Sequence, residues 1–324
     1  MLKRICFTVA VFMVGIGAVS AAEFTLKLGH GAAPDNPRNI VAQEFAKAVA
    51  EKSGGRIGIE VFPSESLGSD RQMIESLIMA GLDLSINSQG PVAAYDEKLN
   101  VVGLPFLFSK PEQVYEVLDG PIGDELAAPL EKKGFKLLAY WDNGFRHITN
   151  NKLPINKPED LIGLKIRTPE DKLTIAIFKA LGSNPAPFAF GELYMALQQG
   201  QFDGQENPVT NIYFSKLYEV QKYLSLTNHK YEFCPLVVSM ATWRRLPADL
   251  QVILKDLAVE YAGKHRELNN KTNADLTEKM SSLNVLVNQA DIPALRAACQ
   301  SVYKDFEPVF GKALIDRILE IANK

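Results

Sequence analysis

The stretch Phe24-Thr-Leu-Lys-Leu-Gly-His30 places Phe24, Leu26 and Leu28 in alternation with polar residues, the period of a half-buried strand. Ile40, Val41, Phe45, Ala48 and Val49 then fall on one face of a helix that Gly54-Gly55 stops. Ile57, Ile59 and Val61 alternate again up to Pro63. Asp70 is placed to cap a second helix carrying Met73, Ile74, Leu77 and Ile78, and Leu82, Leu84 and Ile86 make a third strand. Ser109 with Glu112 has the spacing of a capping box for another helix. Strands that alternate with helices of roughly ten residues or more predict βαβ units and an α/β fold on a largely parallel sheet.

The same rhythm restarts after Trp141. Lys165-Ile166-Arg167-Thr168 reads as a strand, helices cover about 170–182 and 191–200, and Phe202 to Asn207 reads as a strand opening into a further helix. Leu236 to Met240 reads as one more strand. From Pro247 onward Leu250, Ile253, Leu254, Leu257, Ala258 and Tyr261 recur at helical spacing, and helical composition persists to about Met280. A helix of that length suits a brace between two lobes, the alternative being two helices with a break near Gly263. No Gly/Ser-rich linker divides the chain, which favours lobes joined by strands that cross a cleft.

The chain has 324 residues, 47% of them apolar and 23% charged, the composition of a globular protein with more than one core. Its first residues read as a secretory signal peptide. Lys3 and Arg4 precede a mostly apolar run from Ile5 to Val19, and Ser20-Ala21-Ala22 supplies small residues for cleavage. The run is shorter than the roughly 20 residues of a membrane-spanning helix, and Cys6 sits before most of it, where no lipoprotein anchor would be. A mature, exported chain starting near Ala22 or Glu23 is expected. Net charge is −3, so no basic field attracts nucleic acid. Cys234 and Cys299 remain after cleavage and are expected as two buried thiols, a single bridge being the other possibility.

Signatures of catalysis are missing from the sequence. It contains no Gly-x-Ser-x-Gly elbow, no phosphate-binding Gly-x-x-x-x-Gly-Lys loop and no His-Glu-x-x-His. The four histidines (His30, His147, His229, His265) stand far apart and no cysteine pair has zinc spacing, so neither metal nor cofactor is expected. An exported hydrolase with a cleft acid/base pair is the weaker hypothesis. Two arginines follow apolar, strand-like runs: Arg146 in Trp141-Asp-Asn-Gly-Phe-Arg146, and Arg167 in Leu164-Lys-Ile-Arg167-Thr-Pro169. Both are expected at strand ends, where open α/β sheets bind ligands, and an arginine fork takes a carboxylate through two parallel hydrogen bonds. Asn207, after Asp203-Gly-Gln-Glu206, can both donate and accept. Each of these residues, taken alone, also suits an ordinary surface or turn position.

With these residues in view, the chain resembles the periplasmic solute-binding proteins of TRAP transporters, the DctP family. The densest likeness lies in Pro158-Glu-Asp-Leu-Ile-Gly-Leu-Lys-Ile-Arg167-Thr-Pro169, then Glu192-Leu-Tyr-Met-Ala-Leu-Gln-Gln-Gly200, then Phe202-Asp-Gly-Gln-Glu-Asn-Pro208. The resemblance implies two α/β lobes around a cleft: residues 23–144 plus about 233–272, and 145–232 plus about 273–324. It implies no enzymatic activity. Its partners would be an organic anion and a sodium-driven TRAP membrane permease, and the protein would be a periplasmic monomer. A sensor partner of a membrane receptor would look the same in sequence. Arg167 matches the family's carboxylate-clamping arginine, Arg146 a second arginine near the carboxylate, Asn207 the asparagine beside them, and Phe190 the aromatic packed on the ligand.

Sialic-acid-binding members are similar around Thr227-Asn228-His229, but this chain departs from them elsewhere. It carries Asn87 and Gly90 where they have a Glu and an Arg, and Glu170 where they have an Asn. These departures argue against sialic acid. His30 ends the first strand and Asn87 the third, so both are expected to face the cleft, although His30 suits a strand–loop cap equally. Neutral amides, a histidine and Glu170 fit hydroxyl groups better than a second carboxylate. A sugar acid, a uronate or aldonate, is the expected ligand class. A C4-dicarboxylate or another hydroxy or keto monocarboxylate stays open.

Overall fold

A computed structural model describes residues 22–324; the expected signal peptide and Cys6 lie outside the described residues. Nine strands form one mixed sheet: β1 (Phe24–His30), β2 (Ile57–Phe62), β3 (Leu84–Ile86), β4 (Phe135–Asn150), β5 (Lys165–Thr168), β6 (Asn184–Pro187), β7 (Gly204–Asn207), β8 (Tyr223–Ser239) and β9 (Leu286–Gln289). Their order is β2-β1-β3-β8-β4-β7-β5-β6, with β9 on the flank of β8. The βαβ rhythm produces parallel pairs on both wings, β2-β1-β3 and β7-β5-β6. The centre differs from the largely parallel sheet expected. There β4 and β8 run antiparallel to each other over 16 and 17 residues. A single pair of continuous strands therefore passes through both wings. The sequence hides this because both faces of these strands are buried, so they lack period-2 alternation.

The register of β4 against β8 slips at Leu137/Ala139, Asp142/Gly144 and Arg146/Ile148. Such irregularities bend a strand and increase its twist. Gly144 lies at φ +111°, a conformation open to glycine and strained for other residues. Arg146 consequently sits within β4 among these bends, not at a strand end.

The helix Ala248–Met280 is continuous over 33 residues, without a break at Gly263. Its first half places Leu250, Leu254, Leu257, Ala258 and Tyr261 in a core with Leu28, Phe45, Trp141 and Leu236. Its far end places Leu276 and Met280 in a different core with Leu193, Phe202 and Ile212. Between them His265, Arg266 and Asn269 are buried, and Asn269 donates to Asp142 Oδ2 (2.9 Å) and to the Asn143 carbonyl (3.2 Å). The bracing role read from the sequence is thus realised, with a polar middle where the helix crosses the bent strands. The last helix, Lys312–Ala322, returns to the helix Pro111–Leu118, where Gln113 donates to the Ala322 carbonyl (2.7 Å).

Smaller expectations shift by a residue. Ser69 caps the helix Asp70–Ile78 in a reciprocal box with Gln72, and Asp70 is its first helical residue. Gln113, not Glu112, accepts from the N–H and hydroxyl of Ser109. Ile40 is exposed, whereas Val41, Phe45 and Val49 are buried. Cys234 and Cys299 are both buried and unpaired, as expected.

Candidate functional site

A narrow cavity of about 40 Å³ opens between the two wings of the sheet, and Arg38, Glu65, Asp70, Arg146, Arg167 and Asn207 are among the residues that line it. It sits where strand ends, helix starts and the bent middle of β4 converge, the usual place for a ligand in an open α/β sheet. Of the residues singled out in the sequence, Arg167, Arg146, Asn207, Phe190 and Glu170 all reach this cavity. His30 and Asn87 do not line it. Both are fully buried behind it. His30 Nδ1 accepts from the Ala32 N–H (3.2 Å) and its Nε2 faces Asn39 Oδ1 (3.2 Å), so the imidazole ties down the strand–loop junction. Burial and the nearby Arg38 hold it neutral, with a pKa lowered to about 3. Asn87 donates to Ser85 Oγ (3.0 Å), and its Oδ1 has no partner among the described residues.

The two arginines differ sharply in their surroundings. Arg146, 2% exposed, is held by two fully buried glutamates. It donates through Nε and Nη2 to the Glu206 carboxylate, through Nη2 to the Glu206 carbonyl (2.7 Å), and through Nη1 to Glu232. Burial works against the Glu206 carboxylate, but Arg146 and His229 outweigh it and bring its pKa down to about 2. His229 Nε2 lies 3.2 Å from Glu206, and Asn143 donates to Glu232 Oε2 (2.6 Å). Lys230, on the same strand, donates to Asp171 Oδ2 (2.5 Å), and Asp171 caps the helix Lys172–Ala180. Arg146 therefore belongs to a satisfied ion network, with its hydrogen-bonding capacity largely spent on protein groups.

Arg167, 3% exposed, has no carboxylate within 4.0 Å among the described residues. Its Nε (2.8 Å) and Nη2 (2.5 Å) both donate to the Phe188 carbonyl, which fixes the plane of the guanidinium. Nη1 makes no protein hydrogen bond among the described residues. The Phe190 ring centroid lies 5.8 Å from the guanidinium carbon, at the outer limit of a cation–π contact. Burial lowers the Arg167 pKa to about 10 while Glu206 opposes the shift, so the side chain stays charged at neutral pH. A buried, oriented and unpaired guanidinium is a receptor for an anion, because the cost of burying it is otherwise uncompensated.

Asn207 ends β7 and joins an amide chain. It donates to Gln205 Oε1 (2.5 Å) and accepts from Asn211 Nδ2 (3.2 Å), which also contacts Asn143 Oδ1 (3.1 Å). Glu170 lies at the rim, 3.9 Å from Arg71. At Gly90 an added Cβ would stand 2.5 Å from Asp171 Cβ. An arginine at that position would not fit beside Asp171, so the glycine goes with this closely packed arrangement.

Glu65 escaped the sequence reading. Ser64 and Glu65 both adopt left-handed φ (+58° and +55°), rare for two successive non-glycine residues and concentrated at functional sites. The turn carries the Glu65 carboxylate across the cleft, where it accepts from the Gly191 N–H (2.8 Å). An added Cβ at Gly191 would lie 2.5 Å from the same oxygen. Burial, aided by Asp70, raises the Glu65 pKa to about 7, with the Gly191 N–H and Arg167 opposing. A carboxyl that regains its ordinary value of 4.5 on exposure should bind its proton more tightly while docked on the Gly191 N–H, where its value is about 7. Protonation should thus favour closure: the advantage should be complete below the ordinary value and lost as pH rises through about 7. Glu65→Gln should flatten this dependence. Small-angle scattering of the ligand-free protein from about pH 4 to 8 checks it, and an unchanged profile in the variant rules Glu65 out as its source.

The family model for DctP, bacterial extracellular solute-binding protein family 7, matches residues 28–308. An uncharacterized protein y4mM of Sinorhizobium fredii is 50% identical over 78% of this chain, and the match covers 46% of that protein, so the chain spans about half its length. The 2,3-diketo-L-gulonate-binding periplasmic protein YiaO of Escherichia coli is 34% identical over 86% of each chain. Among solved structures, the sugar acid binding protein DctPAm of Advenella mimigardefordensis in complex with galactonate superposes with a TM-score of 0.90 at 32% identity, covering 94% of this chain and 99% of that one. A TRAP periplasmic solute binding protein of Sulfurospirillum deleyianum with bound succinate superposes with a TM-score of 0.87 at 34% identity, covering 93% and 99%. These structures share the two-lobed α/β architecture described above.

Proposed function

This chain belongs to the DctP family of bacterial extracellular solute-binding proteins, and from that premise we propose that it captures a sugar acid, a uronate or aldonate, and hands it to a TRAP membrane permease. The observation that carries the reading is the unpaired, buried Arg167 guanidinium facing the cleft. The ligand carboxylate lies against its free edge, with Phe190 beside it and Asn207 supplying an amide. Arg146 acts from behind, holding Glu206 and Glu232 in place. Galactonate in one neighbour and diketogulonate in one relative's name support a hydroxylated monocarboxylate. Succinate in another neighbour favours a C4-dicarboxylate as the second reading.

The protein acts by binding alone. Its lobes comprise 23–144 with about 233–272, and 145–232 with about 273–324. The two boundaries in the strands fall where Gly144 pairs with Glu232, beside a register slip, and the third falls within the helix Ala248–Met280. The bends of β4 and β8 there form the hinge. Pockets that engulf small ligands commonly measure about 300–1,000 Å³, so a cavity of about 40 Å³ must open to admit one. Ligand that bridges the lobes then draws the population back to the closed form. Synthesis with a cleaved signal peptide places the mature protein in the periplasm. Among the described residues no helix is long and apolar enough to cross a membrane.

Thermal unfolding of the mature protein against aldonates, uronates, dicarboxylates and keto acids tests the reading. A ligand at about 1,000 times its dissociation constant adds about 4.1 kcal/mol and should raise the midpoint by several degrees. A rise with a sugar acid and none with its neutral sugar is expected. A rise with dicarboxylates alone would replace the substrate class.

A further inference from the structure

The cavity holds a third buried arginine, which neither the ion network nor the carboxylate site absorbs. Arg38, 5% exposed, lines the cavity from the helix Pro37–Lys52, whereas Arg167 lines it from β5. Among the described residues its guanidinium makes one side-chain hydrogen bond, from Nη2 to Asn143 Oδ1 (2.8 Å). Its Nε is buried without a partner, and no carboxylate lies within 4.0 Å of it among the described residues. Of the other buried arginines, Arg146 and Arg266 are paired with carboxylates, and Arg167 is the carboxylate site itself. Arg38 is also in the first helical turn, where the helix dipole disfavours a cation. A cation so placed, desolvated and short of acceptors needs oxygen atoms from another source.

Asp70 lines the same cavity. Its Oδ2 accepts from the Ser88 N–H (3.0 Å). Burial raises its pKa, and the Ser88 hydrogen bonds and the charge of Arg38 oppose the rise. The two groups share the cavity without forming an ion pair among the described residues. A guanidinium donates and a carboxylate accepts, so together they match a hydroxyl group, which accepts from one and donates to the other. Neighbouring hydroxyls of a polyol chain can engage both at once. A second carboxylate would gain from Arg38 but would set its own acceptor oxygens against those of Asp70.

We propose that Arg38 and Asp70 form a hydroxyl-reading subsite in the first lobe and select hydroxylated acids over C4-dicarboxylates. The proposal rests on the reading that the ligand carboxylate sits at Arg167. The subsite also joins recognition to closure. Arg38 Nη2, Asn143 Oδ1, Asn211 Nδ2 and Asn207 Oδ1 are linked by successive hydrogen bonds across the floor of the cleft. A hydroxyl held by Arg38 is thereby connected to the wing that carries Arg167.

The test is isothermal titration of the mature protein with erythronate, galactonate, galacturonate and succinate, for wild type, Arg38→Gln, Asp70→Asn and Arg167→Ala. Both subsite changes are close in size, and circular dichroism with thermal midpoints verifies folding; Arg38→Lys serves if Arg38→Gln is unstable. Wild type should prefer a sugar acid to succinate. Arg38→Gln and Asp70→Asn should each weaken that sugar acid at least tenfold, and Asp70→Asn should narrow its margin over succinate. Sugar-acid affinity unchanged in both variants overturns the subsite. So does a wild type that prefers succinate and loses it in Arg38→Gln, since Arg38 would then hold a second carboxylate. If those results come with an Arg167→Ala protein that no longer binds, the carboxylate reading survives and the subsite alone fails. A folded Arg167→Ala protein that binds normally, or a wild type that binds none of the four acids, overturns both.

Discussion

Arg146→Ala should destabilise the protein by about 3–5 kcal/mol, the cost of stranding buried charge when one partner of an ion network is removed. The variant leaves Glu206 and Glu232 fully buried in the middle of the crossing strands, and Glu232 Oε1 already lacks a hydrogen-bond partner among the described residues. Urea denaturation at neutral pH measures the loss. Its pH dependence is more diagnostic than its size. In wild type the Glu206 pKa is depressed to about 2, against an ordinary 4.5. A depressed carboxyl contributes stability that is present above its unfolded value and is lost as pH falls towards the folded one. Wild type should therefore lose this contribution as pH falls from about 4.5 to about 2. Without Arg146, burial dominates and the Glu206 pKa should rise above its unfolded value, so mild acid should narrow the gap between variant and wild type. A constant gap over that range would mean that Arg146 is not what charges Glu206. Arg146→Lys should fall between, because a single ammonium cannot reproduce three donor contacts to Glu206 and one to Glu232.

The sequence was most informative where one face of an element is apolar and the other polar. The strand of Phe24, Leu26 and Leu28 and the first half of the long helix follow that pattern and stand where it puts them. β4 and β8 do not follow it, because they are buried on both faces and cross both lobes. In the sequence only Leu236 to Met240, at the end of β8, and the run Trp141 to Arg146 of β4 read as strand-like, which puts Arg146 at a strand end, whereas β4 continues to Asn150. At the site, residues beside strand ends, such as Arg167 and Asn207, were readable from position. The division of labour between Arg146 and Arg167 was not, since it depends on which carboxylates come near in space: Glu206 and Glu232 are 60 and 86 residues from Arg146. Arg38, in the first turn of a helix, carries no signal in the sequence that marks it as a cavity residue. Glu65 was hidden for another reason: only glycine advertises a left-handed turn, and here Ser64 and Glu65 adopt one. A residue that accepts backbone strain to place a charge leaves no composition signal.

Arg167→Ala should behave in the opposite way to Arg146→Ala, losing ligand far more than stability. The substitution strands no carboxylate, since none lies within 4.0 Å of Arg167 among the described residues. It removes two donors from the Phe188 carbonyl, a loss on the order of 1–3 kcal/mol if that oxygen stays dry and less if water reaches it. The ligand, by contrast, would bring a carboxylate into a cleft with no cation to meet it. Truncating one partner of a buried, hydrogen-bonded charge pair costs about 2–5 kcal/mol in binding. At about 1.4 kcal/mol per decade, that is roughly thirtyfold to several thousandfold in the dissociation constant. Arg167→Lys should recover little of it. The Phe188 carbonyl now takes Nε and Nη2, which turns the remaining edge of the fork into the cavity, and a lysine has no plane to orient. Titration of both variants with the sugar acid that stabilises wild type measures the effect. Near-native affinity in a folded Arg167→Ala protein would remove Arg167 from the carboxylate site. A large loss, alongside modest loss for a weakly stable but folded Arg146→Gln protein, would separate the arginine that meets the ligand from the one that holds the walls of its cleft.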